Sequence, residues 1–162
     1  DDIEEAKFIR SLRSHGKGTG KLEHGYNSCL SNDHANVLNF LLSKYKSLLS
    51  RSKKVRQWYT KKLDDIGISS IESRSDTTSN NHKLVIRAQD RDGLKAFLDT
   101  KKIQTQIHYP QPMSRMKMFD TGQEMPNAEK LCQDVISLPI HPFLKKDEVL
   151  HVCDSIKEYY GV

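Results

Sequence analysis

From Leu38 to Ile66 the apolar residues keep a helical spacing. Leu38, Leu41, Leu42, Tyr45, Leu48 and Leu49 fall on one face, and Val55, Trp58, Tyr59, Leu63 and Ile66 continue it. Ser31 can cap the start of this stripe and Gly67 ends it. A stripe of this length makes either a coiled coil or successive core helices. The serines at 50 and 52 offer a break, so the pattern predicts two successive core helices. Their shared face must be covered by another layer.

The rest of the chain can supply that layer. Residues 1–16 predict a helix, with Asp1, Asp2, Glu4 and Glu5 at its positive end. Ile3, Ala6, Ile9 and Leu12 form its apolar stripe, Phe8 lies beside it, and Gly16 can serve as a left-handed stop. Gly16, Gly18, Gly20 and Gly25 make the next segment a loop. It lacks the strand-before, helix-after context of a phosphate-binding glycine motif. After the polar stretch 73–82, residues 83–88 predict a strand, 90–98 a helix and 103–108 a second strand. Pro126 and Asn127 open a helix through Asp134, and residues 135–140 read as a third strand stopped by His141-Pro142. Residues 147–160 form an amphipathic helix ending at Gly161. The order α, αα, β, α, β, α, β, α predicts an α+β fold, a small three-stranded sheet packed by helices.

A chain of 162 residues suits one ordinary domain and can bury a core. Its net charge of +5 raises the question of a nucleic-acid partner. The basic residues are spread among many acids, and the densest basic run, residues 51–56, reads as a solvated helix face. No nucleic-acid or membrane partner is expected. No stretch approaches the apolar length of a membrane span, and no signal peptide is visible. Cys29, Cys132 and Cys153 form no CxxC unit, which argues for free thiols in a reducing compartment, and the cytoplasm is the expected location. The histidines show no metal-ligand spacing. The chain opens at Asp1, already in a helical pattern, which reads as a piece of something longer.

Five short stretches stand out. They are Arg10-Ser-Leu-Arg-Ser-His-Gly16, Gly25-Tyr-Asn-Ser28, Arg91-Asp-Gly-Leu94, Ile107-His-Tyr-Pro-Gln-Pro112 and Ser137-Leu-Pro-Ile-His-Pro142. In this order and spacing they resemble the C-terminal part of the DegT/StrS-type sugar aminotransferases, pyridoxal-phosphate enzymes of aminotransferase fold type I. The resemblance covers nearly the whole chain.

The resemblance implies a parent protein that converts nucleotide-linked keto-sugars to amino-sugars, with glutamate as amine donor and pyridoxal 5'-phosphate as cofactor, acting as a homodimer. It implies that residues 1–162 are the C-terminal small domain with its leading helices. The imine-forming lysine would lie upstream, in a large cofactor-binding domain absent from this chain. No catalytic residue is therefore expected here, and the fragment alone should be inactive. By the same resemblance Asn27 corresponds to an asparagine that reaches the cofactor phosphate across the dimer interface. Its other reading is a turn residue. Tyr26, His108 and Tyr109 correspond to positions on the substrate side of the cleft. For His108 and Tyr109 the bland reading is a strand end with local packing.

His15 reads as a helix-end residue and His141 as part of a structural turn. Met113, Met116 and Met118 read as loop packing. Lys83, beside a strand, is the lysine least unlike an imine former, and its plainer reading is a strand-edge lysine. The chain departs from the family where Cys29 replaces an arginine, where His34 and Asn36 interrupt a Gln-Ala-Ala helix start, and where Ser114 replaces a histidine. A thiol cannot make an arginine's charged fork. These departures give weight to a second expectation, a non-catalytic partner or regulatory module of the same fold.

Overall fold

The computed structural model describes residues 2–18, 24–120 and 122–162. Asp1 of the predicted first helix and Gly20 of the predicted loop lie outside the described residues. The chain divides into two compact units, Asp1–Tyr45 and Lys46–Val162.

In the first unit, α1 spans Ile3–Leu12. Asp2 caps it, its Oδ1 accepting from the N–H groups of Glu4 at 2.8 Å and Glu5 at 3.2 Å. The chain leaves the helix through His15 and Gly16, both left-handed at φ 60° and 74°. A returning segment pairs with this exit. Tyr26 N–H donates to Leu12 O, His15 N–H to Tyr26 O at 3.0 Å, and Ser28 N–H to Arg13 O at 3.1 Å. Two motifs that are separate in sequence, the histidine-glycine helix end and the Gly25-Tyr26-Asn27 turn, thus form one backbone clamp centred on the Ser14–Asn27 bridge. α2 begins at Asn32, where Ser31 Oγ accepts from His34 N–H at 3.3 Å.

The expected pair of helices is corrected here: α2 is one helix of 33 residues, Asn32–Asp64. Neither glycine nor proline interrupts it, and Ser52 is buried on its inner face rather than marking a break. Gly67, at φ 70°, follows its end.

In the second unit, Val55, Tyr59 and Leu63 of α2 join a core completed by β1 (Leu84–Arg87), α3 (Arg91–Thr100), β2 (Val135–Leu138) and α5 (Lys146–Tyr160). α4 spans Pro126–Asp134, and a 3-10 turn spans Met113–Arg115. β1 and β2 pair antiparallel, with Leu84 opposite Leu138 and Arg87 opposite Val135. Asp90 caps α3, accepting from Gly93 N–H at 3.0 Å and from Tyr159 Oη of α5 at 2.7 Å.

The three-stranded sheet is likewise corrected to two strands. Residues 103–108 alternate as a strand should, with Ile103 and Thr105 buried and Gln104 and Gln106 exposed. Their pairing with β2 is confined to one reciprocal couple: Gln106 N–H donates to Ser137 O at 3.2 Å and Ser137 N–H to Gln106 O at 2.7 Å. The chemistry of β2 stops the ladder on both sides. Hydrogen-bonded pairs recur every second residue, so the next would be Gln104 with residue 139 and His108 with residue 135. Pro139 has no N–H to give. Val135 N–H is already committed to Leu131 O at the end of α4. A similar isolated bridge joins Ser70 to Ile86 on the other edge.

Candidate functional site

The proline-rich segment after residue 106 leaves the sheet at one end of a cleft of about 540 Å3. His82 and Lys83 enter it from the approach to β1, Gln104 and Gln106 from the bridging segment, and His108 and His141 from the two proline-flanked turns. Among the described lining residues there is no carboxylate.

His108 is half-buried and anchored: its Nδ1 lies 2.9 Å from Ser137 Oγ on β2. Burial first, then the charges of Lys83 and His82, hold its imidazole below its ordinary pKa of 6.5. The ring is therefore neutral at neutral pH. Tyr109 stands edge-on to it, ring centroids 5.6 Å apart, and is itself exposed. The peptide between the two is cis. Lys83 Nζ sits 5.3 Å from the Tyr109 ring centroid, a cation over an aromatic face. His141 Nδ1 accepts from Phe143 N–H at 3.2 Å, which fixes the turn as expected and fixes the ring as well.

Tyr26 and Asn27 lie in the first unit, on the clamp described above, and His108 and Tyr109 in the second. Both Tyr26 and Asn27 have exposed side chains. Asn27's backbone does supply turn pairing, opposite Ser14. Cys29 Sγ lies 3.3 Å from Ser14 Oγ, so the thiol is turned onto the clamp. Met113 and Met118 do not pack the loop; they are 62% and 81% exposed.

Sequence reasoning did not assemble His82, Gln104, Gln106, Ser137 and His141 with His108. Two signals were present. The polar Ser137 interrupts an apolar run, which implies a partner for its hydroxyl, and the two glutamines occupy the outward positions of the 103–108 alternation.

Pyridoxal phosphate requires a lysine poised to form an imine. No described lysine is buried. Lys83, the lysine in the cleft, rests against Tyr109 at the open surface. The described residues therefore do not by themselves make a complete site for this cofactor. No described helix is long and apolar enough to cross a membrane.

Comparison with known proteins relates the chain to longer ones. One relative, 29% identical over 98% of the chain, is the dTDP-3-amino-3,6-dideoxy-alpha-D-galactopyranose transaminase of Aneurinibacillus thermoaerophilus, of which 45% is covered. Another, 32% identical over 98% of the chain, is the dTDP-3-amino-3,4,6-trideoxy-alpha-D-glucose transaminase of Streptomyces venezuelae, of which 44% is covered. The fold matches the crystal structure of a DegT DnrJ EryC1 StrS aminotransferase from Brucella abortus with a TM-score of 0.88 at 27% identity, over 99% of this chain and 45% of that one. The chain thus spans a little under half the length of these relatives. With residues 1–157 matching the model of the DegT/DnrJ/EryC1/StrS aminotransferase family, the chain belongs to that family.

Proposed function

We propose that this chain is the C-terminal portion, the small domain with its leading helices, of an enzyme that aminates nucleotide-linked keto-sugars with glutamate as amine donor. The observation that carries the reading is family membership across residues 1–157, joined to relatives that bear transaminase names on dTDP-amino-sugars. The parent is a cytoplasmic homodimer, and its upstream domain holds pyridoxal phosphate and the imine-forming lysine. When bound, that cofactor supplies the electron sink for the amine transfer.

This chain's own residues bind and orient. The exposed amide of Asn27 offers an N–H donor suited to a phosphate oxygen of the cofactor. His108 and Tyr109 of the second unit are assigned to the sugar substrate, and Tyr26 of the first unit is assigned to it separately, each by the family resemblance. His108 is held by Ser137 and stays neutral, so it donates or accepts a hydrogen bond without bringing a charge. By itself the chain does not transaminate.

The test compares two proteins. Purified residues 1–162 and a longer polypeptide continuing upstream are each incubated with pyridoxal phosphate, glutamate and a dTDP-linked keto-hexose. The expected result is 2-oxoglutarate and amino-sugar from the longer protein and neither from the short one. Borohydride fixing one stoichiometric cofactor to a lysine of the short chain would overturn the assignment. A longer protein that releases no 2-oxoglutarate would favour the non-catalytic module, a reading to which Cys29 and Ser114 lend support.

A further inference from the structure

The turn after β2 leaves Phe143 66% exposed, where it shares a second cleft, of about 350 Å3, with aromatic and cationic side chains of α2. We propose that this cleft docks a short acidic peptide segment of a partner protein, one apolar side chain lodging against Trp58 and Phe143 and flanking carboxylates pairing with Arg51, Lys54 and Lys145. The proposal stands apart from the transaminase reading, because the cleft shares no lining residue with the one at His108.

The convergence follows from helix register. Arg51, Lys54, Val55 and Trp58 are spaced i, i+3, i+4 and i+7 on α2, which sets them along one face. Lys54 Nζ lies 5.7 Å from the Trp58 ring centroid, so this cation and this aromatic meet within the cleft they both line. Val55 is buried in the core, and Trp58 and Leu144 pack against that core, which makes the floor apolar and firm. The other wall is a fixed turn. His141 Nδ1 accepts from Phe143 N–H at 3.2 Å, and His141 O accepts from Leu144 N–H at 3.2 Å. The His141 and Phe143 rings lie 6.5 Å apart, so Phe143 is held out in water before any ligand arrives.

Charge selects the partner. Arg51, Lys54 and Lys145 form no ion pair among the described residues, and the described lining contains no carboxylate. Glu148, three residues beyond Lys145, is turned to the start of α5, where its Oε2 accepts from Lys145 N–H at 2.7 Å. Cations around an apolar floor repel a basic segment and attract an acidic one. Aromatic and arginine side chains are also the ones that anchor protein interfaces. Length sets the rest. Arg51 to Trp58 spans about 10.5 Å of helix, which an extended peptide covers in about three residues. The segment is therefore an apolar anchor with an acid on each side.

Trp58 is the only tryptophan in the chain, so its emission reports on the cleft alone. The full 162-residue chain is titrated with acetyl-Asp-Asp-Phe-Glu-Asp-amide while tryptophan emission is followed. The emission should change saturably. Acetyl-Asn-Asn-Phe-Gln-Asn-amide lacks the charges and acetyl-Asp-Asp-Gly-Glu-Asp-amide lacks the anchor; each should bind about tenfold more weakly or worse. Added salt should weaken the acidic peptide. Phe143→Ala, at an exposed position, should weaken it about tenfold and Arg51→Gln about threefold. Lys61→Gln, on α2 outside the cleft lining, should change nothing. An equal response to the three peptides, or an affinity indifferent to both Phe143→Ala and Arg51→Gln, would overturn the proposal. So would emission that changes on dilution of the chain alone, which assigns the cleft to a second copy, or that saturates with a mononucleotide and not with the peptide. The peptide controls need no variant, so a substitution that fails to fold leaves the outcome decided. Failure here leaves the transaminase reading standing, and the reverse also holds.

Discussion

A β-carbon on Gly25 would collide with the backbone of His15 and Gly16. Backbone cannot swing aside as a side-chain tip can, so Gly25→Ala should destabilise the first unit by about 1–3 kcal/mol, the usual cost of overpacking. Loss of the Tyr26 and Ser28 amide protection in hydrogen exchange will report it. Gly93 is constrained differently. A β-carbon there meets the Asp90 carboxylate and the Tyr159 hydroxyl, both side chains. Gly93→Ala should lower the urea midpoint by breaking that cap, and by less when Tyr159→Phe has already removed one partner. Tyr59 is fully buried, and its hydroxyl has no partner among the described residues. Tyr59→Phe should therefore be neutral or stabilising by up to about 1 kcal/mol, read by denaturation. His108 sets a pH dependence. Its folded pKa lies below 6.5, so between the two values the unfolded chain binds more protons. Its contribution is present above about pH 6.5 and is lost as pH falls through the folded value, and His108→Gln should flatten that slope. Of these constraints, the sequence reading found glycine as a stop at Gly16. It did not find glycine as a point of close approach at Gly25, because the residues it meets come from another stretch of chain.

At the scale of elements, local signals were faithful where local chemistry decides. α4 runs from the proline to the aspartate that the composition marks, and α5 ends at Gly161 in the left-handed conformation. The sequence reading erred where the decision lies in a partner. Residues 103–108 carry a sound strand alternation, yet whether they form a ladder depends on a missing N–H at Pro139 and a committed one at Val135. Neither is visible in the segment itself. Hydrogen exchange should show this directly: the Gln106 and Ser137 amides protected, those of Gln104 and His108 exchanging fast. Protection of the Gln104 and His108 amides to the level of Gln106 would mean a third strand exists. The division of α2 at its serines failed for a related reason. Small polar residues suggest a break in the sequence alone, whereas Ser52 faces inward and takes little space against its neighbours.

At the scale of the whole molecule, the motifs placed the chain in its family, while the cleft's membership stayed hidden because it draws its residues from three separate stretches, 82–83, 104–108 and 137–141. The two units also differ in kind. Among the described residues, every buried apolar residue of the core comes from Val55 onward, in the second unit. Among the described residues twenty large apolar side chains are left exposed, and eleven of these lie between Ile3 and Tyr45, among them Phe8, Leu38, Phe40 and Leu42. Heating or protease should therefore attack the first unit well before the second, giving a transition that is not two-state. That wealth of greasy surface also governs handling. Ammonium sulfate strengthens the tendency of such surface to leave water, so the free polypeptide should salt out early, and light scattering should rise with concentration. Trimming it back to begin at Lys46 should make the remainder markedly more soluble.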